Sequence, residues 1–584
     1  MMAQVIRRLD VSAILSSVVS LALTLMLLQG CASSVTGQPG EIGGLPTDNS
    51  TVGVDPTNGD SLQIIQGIDF SYSERDQDAS YDPASATSII LEQSDSRISG
   101  AGARVDGATI TIDAEGAYIL SGMLTDGAIV VDAGAEAKVQ LVLDGVSVTN
   151  SNGPALLVEQ ADKTFVTLAD GSSNTFSDTV DRSDLVSTEN NDRDNEDATI
   201  HDAALFSHDD LTFNGGGTLN VNGLSAHAIV SKDDLIITGG SYMLRAVADT
   251  LQGKDCVKIL VGSFDLNAGD DAIASTKTED VTAGFVVIDG GDFTITAQGD
   301  AIHAETVLRA TGGTVDIREC NEGLEGAWIQ FQGGEFHVVS IDDGLNAASD
   351  YQTDLSLEIS GGYLYVDAEG DGVDSNGTFA QSGGTVIICG PTREGNGALD
   401  YTGTATINGG TLLAVGTAGM AQGVGGGDST QASILYSPAS TIRAGTALVL
   451  ADEQGAVVFS FKTPKDLSSL VFSSAELEVG DSYDIYSGAT ISENDEDAFS
   501  SDGTMSGGTL LTSFTLSQKA VLVSADGSVS EMPQGGMAGM GGGPGGRPGF
   551  DGRGQILPEG FGGGSRGAFD GSVPGNREET MIYT

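Results

Sequence analysis

The sequence predicts an all-β protein built around a right-handed parallel β-helix, followed by a small antiparallel β domain and a disordered Gly-rich tail. Three observations carry that expectation. A phrase recurs between residues 215 and 415: an acidic or small turn, a buried aliphatic, an apolar strand, a Gly-Gly pair and a second short strand. Its turn reads GDDAIAS at 269–275, GDAIHAE at 299–305, NEGLEGA at 321–327, DDGLNAA at 342–348 and GDGVDSN at 370–376. Gly-Gly pairs follow at 290/291, 312/313, 333/334, 361/362, 383/384 and 409/410, so four of the intervals are 22, 21, 28 and 22 residues. That is the period of a stacked solenoid. Helical repeats are excluded, because each unit is rich in Thr, Val and Ile and shows no 3.6-residue stripe. Finally, one unit is too small to bury its own apolar face, so neighbours must stack and share a core.

The other elements follow in chain order. Arg7 and Arg8 precede an apolar run from Val11 to Leu28 that ends in Leu28-Gln29-Gly30-Cys31. Residues 1–30 therefore read as an export signal outside the fold. The last four residues resemble the lipobox of bacterial lipoproteins, which makes Cys31 the lipidated residue and the membrane a partner through that anchor. Residues 31–60, rich in Gly, Ser, Thr, Pro and Asp, suit a flexible tether. The β-helix is expected over 62–425. Its first coils contain strands such as Ala108 to Ile112 and Val139 to Leu143, with turns at Asp126-Gly127 and Asp144-Gly145.

Residues 178–197 interrupt the pattern with eight carboxylates. Asp192, Asp194 and Glu196 alternate like half of a calcium loop, but Asp197 replaces the needed Gly and no Glu closes the loop. A solvated acidic insertion is the expectation there. Longer strands over 426–530 suggest a β domain that caps the open end of the solenoid. The low-complexity residues 535–584 are expected to be disordered.

Composition narrows the function. The chain carries 82 acidic against 25 basic residues, a formal charge of -57. Nucleic acid and anionic lipid are thereby excluded as partners of a basic surface, and cations are favoured. Besides Cys31 there are only Cys256, Cys320 and Cys389, with no CxxC or HxxxH spacing. Buried free thiols are expected rather than disulfides or a zinc site.

Aligning the repeats on Leu251, Ile273, Ile302, Leu324, Leu345, Val373 and Leu399 places Asp249, Asp271, Asp300, Glu322, Asp343 and Asp371 in one column two residues earlier. A second column, one residue later, holds His303, Glu325, Asn346, Asp374 and Asp400. Coils stack about 4.8 Å apart. Neighbouring carboxylates at that spacing repel by about 0.9 kcal/mol in water and about 3.5 kcal/mol at an effective dielectric of 20. Calcium would offset this by bridging adjacent coils through oxygen, and could also accept a uronate carboxylate from a ligand. The candidate ligands are Asp249, Asp270, Asp271, Asp300, Glu322, Asp343, Asp371 and Asp374, with the densest group at Asp249, Asp270, Asp271 and Asp300. The competing expectation is that these acids form turns by bonding nearby backbone N–H groups.

A lyase would need calcium and a Lys or Arg base. Lys254 is the candidate, although a base must give up its proton and a carboxylate cluster opposes that. For sugar stacking, Trp328, Tyr363 and Tyr365 are the candidate platform. Aromatic residues are 5% of the chain, which favours an acidic polysaccharide over crystalline glucan.

The strings AKVQLVLDGV at 137–146 and NSNGPA at 150–155, the Ser231-Lys232-Asp233-Asp234-Leu235 turn and the aspartate-rich coils resemble a bacterial family of carbohydrate-binding surface proteins. The resemblance spans most of residues 100–520. It implies a polysaccharide-lyase-like (pectate-lyase-like) fold, a link to cellulose and acidic pectic polysaccharides, and bound calcium. The resulting expectation is a monomeric, lipid-anchored protein of the cell envelope, facing outward, that binds polysaccharide through Ca2+ without catalysis. A pectate-type lyase and a structural adhesin are the alternatives.

Overall fold

The computed structural model describes residues 67–179, 201–491, 499–501 and 503–532. The export signal, Cys31, the tether, the acidic stretch from residue 180 and the Gly-rich tail lie outside the described residues.

The repeat folds as a β-solenoid of about 11 turns with almost no helix. Three parallel sheets run along it. Sheet A contains Leu251–Gly253, Ile273–Ser275, Leu345–Ala347, Val373–Ser375 and Leu399–Tyr401. Sheet B contains Cys256–Ile259, Phe285–Ile288, Ser356–Ile359 and Thr378–Gln381. Sheet C contains Ser263–Asn267, Asp292–Thr296, Glu335–Ser340 and Tyr363–Ala368. The long strands Ile302–Ala310 and Leu324–Phe331 pass through A and B without a break. A chain that alternates apolar and polar residues sends its apolar side inward, as in Asp292–Thr296, where Phe293 and Ile295 are buried. Identical positions then stack: Tyr242, Phe264 and Phe293 lie ring on ring, with centroids 4.9 and 4.4 Å apart.

The two glycines of each pair do different work at the corner between B and C. A Cβ on the first would strike a carbonyl of the previous coil, 2.3 Å away at Gly333 and 2.5 Å at Gly312. The second turns the chain through positive φ, 94° at both Gly313 and Gly334, a region that favours glycine. The longer 28-residue interval arises between A and B, where residues 348–355 connect Leu345–Ala347 to Ser356–Ile359.

Before the first coil, residues 67–80 form a strap along the outer face of sheet B. Ile68 joins Cys256, Phe285, Val287, Val307 and Trp328 in a buried cluster, with Phe70 packed on it. Lys258 Nζ donates to Ser71 O at 2.9 Å. Farther along, Asp76 accepts from Thr212 Oγ1 at 3.1 Å and pairs with Lys163 at 2.9 Å. At the far end Arg75 lies 4.4 Å over the Phe165 ring and Gln140 reaches Ser80 O. The strap thus runs against the order of the coils.

At the other end, Ser469–Ser473 pairs antiparallel with Thr411–Gly416, the last coil strand of sheet C, and with Ser433–Ser437. Ala520–Ser524 then pairs parallel to Ser433–Ser437. A separate five-stranded antiparallel sheet includes Ala447–Asp452, Val457–Lys462, Ser482–Ser487 and Thr509–Thr515.

Two local expectations change. Asp144-Gly145 is not a turn between strands but a bulge inside Lys138–Asn150, where the register against Gly116–Leu124 shifts and Gly145 takes φ 76°. Asp178 is not solvated. It ends the strand Ser173–Asp178 at 1% exposure and accepts the N–H groups of Leu224 and Ser225.

Candidate functional site

Strand register places the aliphatic column as aligned from the repeats. Leu251 opposes Ile273, and Ile302, Leu324, Leu345, Val373 and Leu399 follow coil by coil. The carboxylates of the first column therefore stack at the corner between C and A. Each is fixed by the next coil. The N–H of Asp271 donates to Asp249 Oδ1 at 3.2 Å, that of Asp300 to Asp271 Oδ1 at 2.7 Å, and that of Glu322 to Asp300 Oδ1 at 3.1 Å. Likewise the N–H of Asp371 reaches Asp343 Oδ1 at 2.6 Å, and Gly397 N–H donates to Asp371 Oδ1. The backbone-bonding expectation is thus met by one oxygen of these aspartates. Glycine makes room for this ladder: a Cβ on Gly299 would lie 2.4 Å from Asp271 Oδ1, and one on Gly370 2.5 Å from Asp343 Oδ1.

The second column divides the ladder chemically. In its first half, His303 Nδ1 lies 2.7 Å from Glu325 Oε2 and 3.6 Å from Asp300 Oδ2, and Nε2 lies 3.6 Å from Glu305. Burial alone would push the imidazole down, but the carboxylates of Asp300, Glu305 and Glu325 around it hold it well above its ordinary value. A protonated His303 is a cation supplied by the chain. It helps to hold Asp300 below the usual carboxylate range although burial opposes this, whereas burial and the Asp249 and Asp300 charges drive Asp271 well above it.

The second half has no such group. Asp343, Asp371 and Asp374 offer oxygens within 4.8 Å of one another. Burial is the main cause that raises Asp343 to about 8 and Asp371 to about 7, with neighbouring carboxylates adding to it. Asn346 stands between Glu325 and Asp374 in register. It is 8% exposed, its Nδ2 donates to Glu322 Oε2 at 2.8 Å, and its Oδ1 is buried without a hydrogen-bond partner. A buried acceptor among carboxylates needs a donor or a cation. Oxygens on opposite sides of an ion held at about 2.4 Å are about 4.8 Å apart, so this all-oxygen set fits a hard divalent cation.

Other candidates are placed elsewhere. Asp249, 4% exposed, accepts from Gln252 Nε2 at 2.8 Å and lies 3.3 Å from His227 Nδ1, which extends to Asp202. Asp270 is exposed at the corner and outside the three-ligand groups, whereas Asp271 and Asp300 fall in one with His303. Lys254 follows strand Leu251–Gly253, with its N–H bonded to Ser231 O.

Trp328 is not a sugar platform. It is 1% exposed beneath the strap on sheet B, whereas Tyr363 and Tyr365 lie on sheet C opposite Glu335 and His337. The two tyrosines are half-buried, within 5.8 Å of the His337 ring, and packed against the C-terminal core. Cys256, Cys320 and Cys389 are buried free thiols.

Sequence reading missed two clusters that lie outside the two aligned columns. Asp210, Asp233 and Asp234 converge where A turns into B, near Lys163. Burial, with the charges of Asp210, Asp255 and Asp234, raises Asp233 to about 7. Glu159, His201 and His208 form the other.

Comparison with known proteins names the family. The family described as "Carbohydrate-binding domain-containing protein" matches residues 106–355. A carbohydrate-binding domain-containing protein of Acetivibrio thermocellus is 36% identical over 219 residues, which covers 37% of this chain and 73% of that protein. The chain belongs to the carbohydrate-binding domain family. The matched segment of this family member holds the first half of the ladder and reaches Asp343 and Asn346. A gadolinium-derivative structure of the polysaccharide lyase-like protein from C. thermocellum aligns at a TM-score of 0.36 and 29% identity, over 46% of this chain and 98% of that one.

Proposed function

We propose that this carbohydrate-binding protein holds an acidic polysaccharide of the pectin or polygalacturonate type, without cleaving it, through Ca2+ seated at Asp343, Asp371 and Asp374. The convergence of those three carboxylates carries the reading, and Asn346, the register partner of Asp374, supports it with a buried Oδ1 that has no hydrogen-bond partner. Net charge supports it: a chain with a formal charge of -57 repels a polyuronate, and a divalent ion shared between the two carboxylate sets converts that repulsion into attraction. The lipobox at Cys31 would hold the site at the cell envelope.

The test is equilibrium binding of polygalacturonate with calcium and with EDTA. Binding should weaken at least tenfold on chelation and in Asp374→Asn. Binding indifferent to both would overturn the reading. Release of an ultraviolet-absorbing unsaturated product, lost in Lys254→Ala, would instead establish a lyase.

A further inference from the structure

We propose that Glu159, His201 and His208 form a second metal site, chemically distinct from the acidic ladder, that takes a borderline divalent transition ion of the Zn2+ type. The three residues come from two adjacent coils. Glu159 lies in the sheet A strand Leu156–Gln160, and the histidines flank the next strand of that sheet, Ala203–Ser207. Leu205, Phe206 and Ser207 pair with Leu156, Leu157 and Val158, and the N–H of His208 donates to Val158 O at 3.0 Å. The backbone therefore fixes His208 beside Glu159.

Phe206 fixes the rings. It is 1% exposed, and its ring lies 4.9 Å from that of His201 and 5.1 Å from that of His208. The two imidazoles meet at 76° with their Nε2 atoms 3.1 Å apart. Glu159 Oε2 lies 3.9 Å from the same His208 nitrogen, and all three donor atoms fall within 4.8 Å of one another. Tetrahedral zinc with bonds of about 2.05 Å sets its ligand atoms about 3.3 Å apart. The histidine pair already has that spacing, and a rotamer adjustment of Glu159, 44% exposed, brings in the carboxylate.

Two nitrogens and one oxygen suit zinc, nickel or copper rather than calcium, which takes oxygen. With no metal, one imidazole donates to the other across the 3.1 Å gap; on binding, that proton moves to Nδ1 of its own ring and the ion takes its place between the two Nε2 atoms. The position gives the site a purpose. In the sequence, residues 180–200 lie between Ser173–Asp178 and Ala203–Ser207, and His201 stands just before the latter strand. An ion bound there ties Ala203–Ser207 to Leu156–Gln160, the strand it pairs with.

Calorimetric titration of Zn2+ into the untagged, calcium-saturated full chain tests this directly. One zinc site should appear, vanish in His201→Ala and in His208→Gln, weaken at least tenfold in Glu159→Gln, and persist in Asp374→Asn. X-ray absorption at the zinc edge of the wild-type protein should show two imidazole nitrogens. Zinc binding unchanged in both histidine variants, an all-oxygen spectrum, or no zinc binding by the wild-type chain would each overturn the proposal. The spectrum needs no variant to fold. Loss of polygalacturonate binding in Asp374→Asn would not bear on it.

Discussion

Asn346 shows how a single side chain can carry more information than the carboxylates around it. Its amide nitrogen is satisfied by Glu322 while its oxygen is not, and the asymmetry marks a place for positive charge. Asn346→Asp removes that donor and adds an acceptor. Without calcium the variant should lose about 1–3 kcal/mol of stability, whereas its gain in melting temperature on adding calcium should exceed that of the wild type. Equal gains in the two proteins would argue against an ion at this position. Asp343, Asp371 and Asp374 were legible in the sequence because they recur at a fixed offset from a buried aliphatic. Glu159, His201 and His208 were not, because residues 180–200 break the period between them. The doubled aspartate was legible as a pair but not in its difference of burial: Asp271 accepts from the next coil, while Asp270 is exposed.

Among the elements, the strap had no periodic signal, since a single extended segment repeats nothing. Its absence from the sequence reading misplaced Trp328, whose apolar bulk looked available for a sugar face. Trp328→Ala should therefore destabilise the fold by about 3–5 kcal/mol, the usual cost of emptying a large aromatic site. It should leave polygalacturonate affinity within twofold at temperatures where the variant is folded. Denaturant unfolding and a binding isotherm on one preparation check both statements. The Gly-Gly corners were legible, and the role of the first glycine can be tested. Gly333→Ala should cost more than about 1 kcal/mol because backbone lies 2.3 Å from the new Cβ. An alanine tolerated there at no cost would mean that the corner can relax.

Across the whole molecule, charge and protonation act together. Folding raises Asp343 from 3.8 to about 8 and Asp371 from 3.8 to about 7, so the folded chain binds more protons than the unfolded one between those limits. Stability of the metal-free protein must then fall as pH rises from about 4 to about 8. Calcium should flatten this dependence by replacing the protons. Melting in EDTA at pH 5.5 and 8.5 gives the sign, and a higher melting temperature at pH 8.5 would contradict it. The strap has a mechanical consequence as well. It crosses the solenoid from the Trp328 coil back to the Gln140 coil before the chain enters Thr87–Glu92. A force on residue 67 directed along the stacking axis would load its buried rings, the Lys258 contacts and the Asp76–Lys163 pair in shear, so that they must fail together. The same force directed away from sheet B would peel them one at a time, beginning at Ile68 and Phe70. Resistance to pulling is therefore a directional property of this fold.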